Sequence, residues 1–542
     1  MSALSNKRSA VDVALDVAAF VGLFIALILP HRLSWITLSS FGYLPLEAIV
    51  FGLLLLVPGR AGAWLRTLVA LVLALGLVFK VSDLIAYQVF SRPFNPVFDA
   101  YLLADGMRLL TGAIGQLGAV LVALLLGLVF VVIFLLSFAV LGRIRAVLQL
   151  APQRSLQGLS ALLVLWVVLK MAGWPRVNTY FHDEFVLHVH AIVDSVADIK
   201  TFGATVNDDD YASVPGEQLF SKLRGKDVYV VFVESYGRIV LDDPEFAAGV
   251  LPTLEQASFQ LQLNGLQARS AYLTSPTVGG ISWLAHGTAL SGLWINSQVR
   301  YDTLMMSERP TLNRLFKRAG WRTVAAMPAI SMAWPEGEYF GYDHIYDSIN
   351  SGYEGLPFNW VTMPDQYVLS ALQAHERSSA HTPVMAEIAL ISSHAPWTPT
   401  PSLVPWDAVG DGTIFNAQTQ AGPDVEAVWQ DTALIREQYR KSIEYVINNL
   451  ASYAIQYGDD DLVMIILGDH QPAPLVAGDT GNADVPVHII ARDPAVFDAI
   501  ADWQWSEGLL PAADAPVWRM DSLRDRIIQA FSGSEAAADV QQ

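Results

Sequence analysis

Two metal-ligating side chains stand next to each other in Gly468-Asp469-His470-Gln471, directly after the apolar run Leu462-Val463-Met464-Ile465-Ile466-Leu467. A second run, Val228-Tyr229-Val230-Val231-Phe232-Val233, ends in the carboxylate of Glu234. Hard oxygens from Glu234 and Asp469 with a nitrogen from His470 suit one divalent cation. Mn or Zn fits this set best, and Mg less well because of the histidine. Alone, each piece is ordinary: strand-end glutamates are common, and Asp-His pairs arise by chance. Together they predict a metal site.

A third stretch supplies a nucleophile: Thr274-Ser275-Pro276-Thr277-Val278-Gly279-Gly280-Ile281-Ser282-Trp283-Leu284-Ala285-His286-Gly287-Thr288-Ala289-Leu290-Ser291-Gly292. The Gly-Gly pair permits a tight turn and a close backbone approach to a ligand. Ser282 follows it and is expected to open a helix. Helix amino termini favour anionic groups and lower the pKa of a hydroxyl placed there. A metal at that hydroxyl would make it an alkoxide nucleophile. The plainer reading is an N-cap serine without chemistry.

Open α/β sheets place their sites at the carboxyl ends of strands, so the elements around these residues matter. Strands are expected at 227–233, 322–327, 384–391, 462–467 and 485–491, and helices at 252–259, 311–319 and 437–457. This alternation predicts a mainly parallel sheet covered by helices. Residues 176–220 read as a mixed linker, 221–531 as the globular domain, and 532–542 as a small, polar, disordered tail.

The amino-terminal 175 residues are different. Hydrophobic residues make up 53% of the 542-residue chain, and the long apolar runs fall almost entirely before residue 176. Five segments come close to the roughly 20 residues a spanning helix needs: 11–29, 39–57, 64–87, 117–141 and 156–172. Lys7, Arg8, Arg60, Arg66, Arg143, Arg145 and Arg154 fall in alternate loops. That asymmetry predicts a cytoplasmic amino terminus and, after five crossings, an outward-facing globular domain. Residues 91–115 read as a connector at the outer interface, and Asp83 as a wet carboxylate near that interface. The chain has no cysteine, so disulfides, Cys zinc sites and a catalytic thiol are excluded. A net charge of −19, without a basic cluster in the carboxyl-terminal half, excludes nucleic acid as a partner.

The order strand–Glu, hydroxyl at a helix start, strand–Gly-Asp-His resembles the alkaline phosphatase and sulfatase superfamily. Within it the chain is most similar to the lipoteichoic acid synthase and phosphoglycerol transferase group, carried by Val233-Glu234-Ser235-Tyr236 and Leu467-Gly468-Asp469-His470. That group combines five membrane spans with an external sulfatase-like domain, and its metal is held by a Glu, a nucleophilic Thr and an Asp-His pair. The resemblance implies metal ligands Glu234, Ser282, Asp469 and His470. Sulfatases place Thr-Gly ten residues after the nucleophile, and counting back from Gly292 gives Ser282, with Thr277 as the alternative nucleophile. The Cys/Ser-x-Pro-Ser-Arg signature is missing, so formylglycine and a plain sulfatase are disfavoured. His286 stands where the sulfatase Arg would be, as an anion contact or a half-buried helix residue. Trp334 matches a substrate-binding Trp, but Glu336 replaces the Arg that grips glycerol phosphate, which suits an amine-bearing head group such as phosphoethanolamine better. His394 resembles the family's substrate-phosphate His and is also a candidate general acid. His488, inside a strand, reads as structural.

The resemblance implies a membrane enzyme moving a phosphorylated head group, phosphoglycerol or phosphoethanolamine. The donor is a membrane phospholipid, the acceptor an extracytoplasmic glycan or lipid, and the carrier a covalent Ser282 intermediate. The alternatives are a hydrolase of phosphate or sulfate esters and a non-catalytic membrane sensor.

Overall fold

The computed structural model describes residues 9–478 and 480–533, so most of the carboxyl-terminal tail lies outside the described residues. The chain divides into two compact units. One runs through Gln88 and from Arg92 to Asp198; the other comprises Val89–Ser91 and the chain from Ile199 onward.

The first unit is helical: α1 (Ala10–Ile28), α2 (Leu46–Leu55), α3 (Gly59–Phe90), α4 (Ala100–Leu148), α5 (Pro152–Met171) and α6 (Tyr180–Thr205), whose end passes into the second unit. Among the described residues four helical segments are long and apolar enough to cross a membrane: Ala10–Ile28, Gly59–Phe90, Leu110–Leu148 and Pro152–Met171. The second expected span, 39–57, is not among them. There the chain forms a 3₁₀ turn over Leu38–Gly42 and a two-residue strand Leu44–Pro45 paired with Val177–Asn178 before the ten-residue α2 begins. Hydroxyl side chains cause the delay: Thr37 Oγ1 and Ser40 Oγ bond to each other at 2.9 Å, and Ser40 Oγ donates to the Trp35 carbonyl at 2.6 Å. Pro45 then keeps the residue before it extended and marks the helix start. Ten residues span about 15 Å, half the hydrocarbon core.

Two other expectations change. Residues 100–114, read as part of a connector, are helical, and Gly115 with φ 76° breaks α4 between them and the apolar segment. Asp83 is not wet: it is 2% exposed, accepts from the Phe94 amide at 2.8 Å and pairs with His188 Nε2 at 3.0 Å. His188 lies in α6, within the stretch read as a mixed linker. Burial of this kind requires a partner, and α6 supplies a titratable one in His188. Lys80 is likewise buried against Glu184 of α6 at 2.8 Å.

The second unit is built on a nine-stranded sheet. Its strands are β1 (Asp227–Val233), β2 (Gln267–Thr274), β3 (Arg322–Met327), β4 (His344–Asp347), β5 (Val384–Leu390), β6 (Leu462–Gly468), β7 (Asp484–Ala491), β8 (Ser506–Glu507) and β9 (Val517–Arg519). The order is β8-β2-β7-β6-β1-β5-β3-β4, with β9 also on β2. Strands β6, β1, β5, β3 and β4 are mutually parallel, and β7 is antiparallel to both β6 and β2. The sheet is thus mainly parallel, as expected. β2 escapes notice in the sequence because Gln267, Arg269 and Ser270 dilute its apolar content.

Period-two alternation divides β1 between two cores. Tyr229, Val231 and Val233 join one core with α7 (Pro244–Leu263) and α9 (Thr432–Tyr457). Val228, Val230 and Phe232 join the other with α8 (Ser282–Ser291). β1 lies at the centre, between β6 and β5, so all seven of its residues are buried. The carboxyl ends of β1, β5 and β6 therefore lie side by side.

Candidate metal centre and nucleophile

Register brings the predicted ligands together. Val233 of β1 pairs with Gly468 of β6, so Glu234 and Asp469 emerge at the same level from adjacent strands. Gly468 is required by packing: a Cβ there would meet the Tyr236 carbonyl oxygen at 2.0 Å. Ligand atoms of Glu234, Asp469 and His470 lie within 4.8 Å of one another. His470 Nε2 is 3.3 Å from Glu234 and 3.7 Å from Asp469. Asp469 and His470 are each 1% exposed.

Ser282 completes the group. Its Oγ lies 3.0 Å from Glu234 Oε2 and 3.2 Å from His470 Nε2. It is the first residue of α8, and the turn before it carries Gly279, Gly280 and Ile281 at φ 78°, 145° and 64°. A left-handed β-branched residue such as Ile281 is strained, and such strain clusters at functional sites. Thr277, the alternative nucleophile, turns away: its Oγ1 donates to the Gly280 carbonyl at 2.8 Å and closes the Gly-Gly turn. The loop is tied to the β6 end by Gly279 N to Gln471 O at 2.9 Å and by Ser275 Oγ to Asp469 O at 2.6 Å.

The surrounding bonds orient the ligands. His470 Nδ1 faces the Gln471 carbonyl at 2.8 Å, leaving Nε2 for the cluster. Such a second bond fixes the tautomer of a metal-binding histidine. Asp469 Oδ1 accepts from the Ser235 and His470 amides at 2.8 and 2.6 Å. Ser235, at φ 57°, donates its hydroxyl to Glu234 at 2.8 Å, and Ser393 Oγ holds the Glu234 carbonyl at 2.6 Å.

Charge is concentrated here. Burial and the adjacent Glu234 push the Asp469 carboxyl up to about 6. Burial opposes ionisation of Glu234 too, but the His470 ring outweighs it and holds that carboxyl below the usual range. Burial works against protonation of His470, yet Asp469 and Glu234 together raise it to about 9. Two buried carboxylates that share one proton-hungry imidazole, with a hydroxyl at hydrogen-bond distance, have the donor set and charge that suit a divalent cation.

The remaining predicted residues are distributed unevenly. His394 is exposed, with Nδ1 2.6 Å from the Ala395 carbonyl, and its charge acts on Glu234. His286 lies one helical turn after Ser282, with Nδ1 2.7 Å from Glu387. Trp334 packs against Tyr342 at 6.2 Å between ring centroids, and burial with the nearby Glu336 carboxylate opposes ionisation of the Tyr301 hydroxyl. His488 is structural, as read: it is bonded to Ser270 Oγ and Tyr236 OH at 2.7 and 3.1 Å, and burial pushes it down to about 3. Sequence reasoning missed Ser235, Ser393 and Glu387. Glu387 alone left a signal, a single carboxylate inside the apolar strand Val384–Leu390.

Asp365 clamps the chain just before His394. Its Oδ1 accepts from the Ile391 and Ser392 amides, both at 2.9 Å, while burial pushes the carboxyl up to about 7. A carboxyl raised in the folded state holds its proton more tightly there than in the unfolded chain. Its stabilising contribution is therefore complete below about pH 4 and lost as pH rises through about 7. The loss is at most about 4 kcal/mol, from roughly three pH units at about 1.4 kcal/mol each. Asp365→Asn should flatten stability between pH 4 and 7. Identical pH dependence of the denaturation midpoint in variant and parent would refute this.

No family model matches the chain, and no curated protein sequence matches it. Solved structures are similar to it at low identity. One is the lipoteichoic acid synthase LtaP from Listeria monocytogenes, at 14% identity over 61% of this chain and 78% of that one, with a TM-score of 0.37. A second is the phosphoglycerol transferase GacH from Streptococcus pyogenes, solved with sn-glycerol-1-phosphate, at 11% identity over 62% and 92%, with a TM-score of 0.36. A third is the periplasmic domain of EptC from Escherichia coli in complex with Zn, at 13% identity over 50% and 74%, with a TM-score of 0.34.

Proposed function

We propose that the protein is a membrane-anchored, metal-dependent transferase that moves a phosphorylated head group from a phospholipid to an extracytoplasmic glycan or lipid acceptor. One observation carries this reading: the Ser282 hydroxyl, at a helix amino terminus, lies within hydrogen-bond distance of both Glu234 and His470. Glu234, Ser282, Asp469 and His470 would hold one divalent ion, Mn or Zn before Mg. When bound it supplies positive charge and lowers the hydroxyl pKa. The amino terminus of α8 would favour an anionic phosphoryl group. Ser282, its hydroxyl proton lost to solvent beforehand so that it acts as an alkoxide, attacks the phosphorus through Oγ; the bond to the diacylglycerol oxygen breaks, and His394 delivers a proton to that oxygen. An acceptor hydroxyl then attacks the phosphoserine, returns its proton to His394 and releases Ser282.

Trp334 and Glu336 are assigned to the head group. An acidic wall suits the amine of phosphoethanolamine, and phosphoglycerol is the alternative. Mass spectrometry of the purified protein after incubation with mixed phospholipids tests this directly, because the mass added to Ser282 names the group. Absence of any Ser282 adduct, with turnover intact, would sink the mechanism. Free phosphomonoester as the sole product would make the protein a hydrolase. The complete ligand set argues against a non-catalytic sensor.

We also retain five crossings, with the amino terminus inside and the catalytic unit outside; contacts within the helical unit support the second crossing. Asp16 near the start of α1 pairs with Arg143 near the end of α4 at 2.9 Å, and Arg145 reaches the Val57 carbonyl beyond α2 at 3.0 Å. At the other end, Lys80 donates to the Leu29 carbonyl at 2.6 Å, and the Leu44 amide to the Arg176 carbonyl after α5 at 2.8 Å. The chain from Leu29 to Val57 thus returns from one end of the unit to the other despite the short α2. A reporter fused at the carboxyl terminus that is active only in the cytoplasm would overturn this topology.

A further inference from the structure

Glu387 lies in the middle of β5, opposite Val230 of β1 and Ala325 of β3, and is 1% exposed. A carboxylate in the central layer of a sheet is costly unless fully paired. This one receives donors from three separate elements. His286 Nδ1 of α8 is at 2.7 Å, Asn313 Nδ2 is at 3.0 Å, and the Tyr342 hydroxyl also donates to it. An apolar residue would build the strand at less cost, so the arrangement calls for another explanation.

The His286 ring supplies one. It stacks on Phe232 of β1 with centroids 3.7 Å apart and planes 17° apart. Phe232 is two residues before Glu234. Stacking fixes the plane of the ring, and the bond to Glu387 fixes its rotation in that plane. Ser282 and His286 are four residues apart on α8, so their side chains share one face about 5–6 Å apart. Tyr342, which donates to Glu387, packs on Trp334. A single chain of contacts thus runs from the head-group wall to the nucleophile helix.

We infer that Glu387 is a positioning residue that commits His286 Nδ1 and so presents His286 Nε2 to a phosphoryl oxygen of the substrate at Ser282. The inference rests on the phosphoryl-transfer reading above. With Nδ1–H given to the carboxylate, Nε2 is the nitrogen left for substrate, and in the doubly protonated ring its N–H donates to the anion. An anion contact at this place adds a donor to the helix amides without adding a metal ligand.

The test uses the full-length, metal-loaded protein with inorganic phosphate as the probe. His286→Ala and Glu387→Gln should each weaken phosphate binding about tenfold to a hundredfold, on the scale of one charge-assisted hydrogen bond. Metal content should stay at the parent level. Glutamine offers one acceptor oxygen and cannot meet three donors, so the Nδ1 bond is lost. The double variant should be no worse than His286→Ala alone, because Glu387 acts through that ring. Additive losses, or parent-like phosphate affinity in His286→Ala, would overturn the proposal, and the latter result holds even if Glu387→Gln fails to fold. Failure of the transfer reading looks different: phosphate affinity would still depend on both residues while no phospholipid labels Ser282.

Discussion

Ser282→Ala is expected to abolish turnover, whereas Thr277→Ala only slows it. Ser282 Oγ is the hydroxyl that meets Glu234 and His470, and Ser282 is the first residue of α8. Thr277 Oγ1 is committed to the Gly280 carbonyl inside the preceding turn. Loss of a nucleophile typically costs several orders of magnitude and is not recovered by neighbouring groups. Loss of the Thr277 bond loosens the turn that aims Ser282, worth about tenfold, on the scale of one net hydrogen bond. Head-group release should be followed for both variants at saturating metal. An active Ser282→Ala beside a dead Thr277→Ala would move the nucleophile five residues upstream and dismantle the site as described.

Asp469→Asn should lose most of its bound metal and, with it, activity. The substitution preserves shape. The amide oxygen can still accept from the Ser235 or His470 amide, which lie 2.8 and 2.6 Å from Oδ1. The negative charge is what disappears, and with it one of two anionic ligands in a site 1% exposed at this residue. A buried cation facing one carboxylate instead of two is poorly compensated. The new NH₂ group would also have to point a donor at the metal position. We expect metal content after dialysis to fall at least about tenfold, the range seen when groups supporting a metal are removed. Parent-like metal content in Asp469→Asn, measured by elemental analysis, would show that Glu234, Ser282 and His470 suffice, or that the ion sits elsewhere.

Several elements were legible because their signal is local. β1 and β6 are continuous β-branched and aromatic runs that end in Glu234 and in Asp469-His470, and a buried parallel strand carries that pattern. The long helices α1, α3 and α5 and the apolar part of α4 announce themselves by composition. Ser282 stood out as a candidate through the Gly-Gly turn and the sulfatase-like spacing to Gly292. α2 was misjudged because hydropathy is summed over a window. It cannot see that Thr37 and Ser40 bond to each other, or that Pro45 resets the helix start. Asp83 was misjudged for the complementary reason, since its partner His188 lies 105 residues away in a segment that reads as a linker.

The sequence by itself determined which residue types stand at strand ends, that a hydroxyl follows a glycine turn, and that apolar helices precede an α/β unit. Those are properties of neighbours along the chain. The tertiary structure alone decided that Glu234 and Asp469 emerge at one level, because strand register pairs Val233 with Gly468 across 235 positions. It alone set the Ser282 hydroxyl beside Glu234 and His470 and turned the Thr277 hydroxyl to the Gly280 carbonyl, because hydroxyl direction is not written in local sequence. And it alone placed Glu387 beneath His286, because a carboxylate inside an apolar strand acquires meaning only from the helix that packs above it.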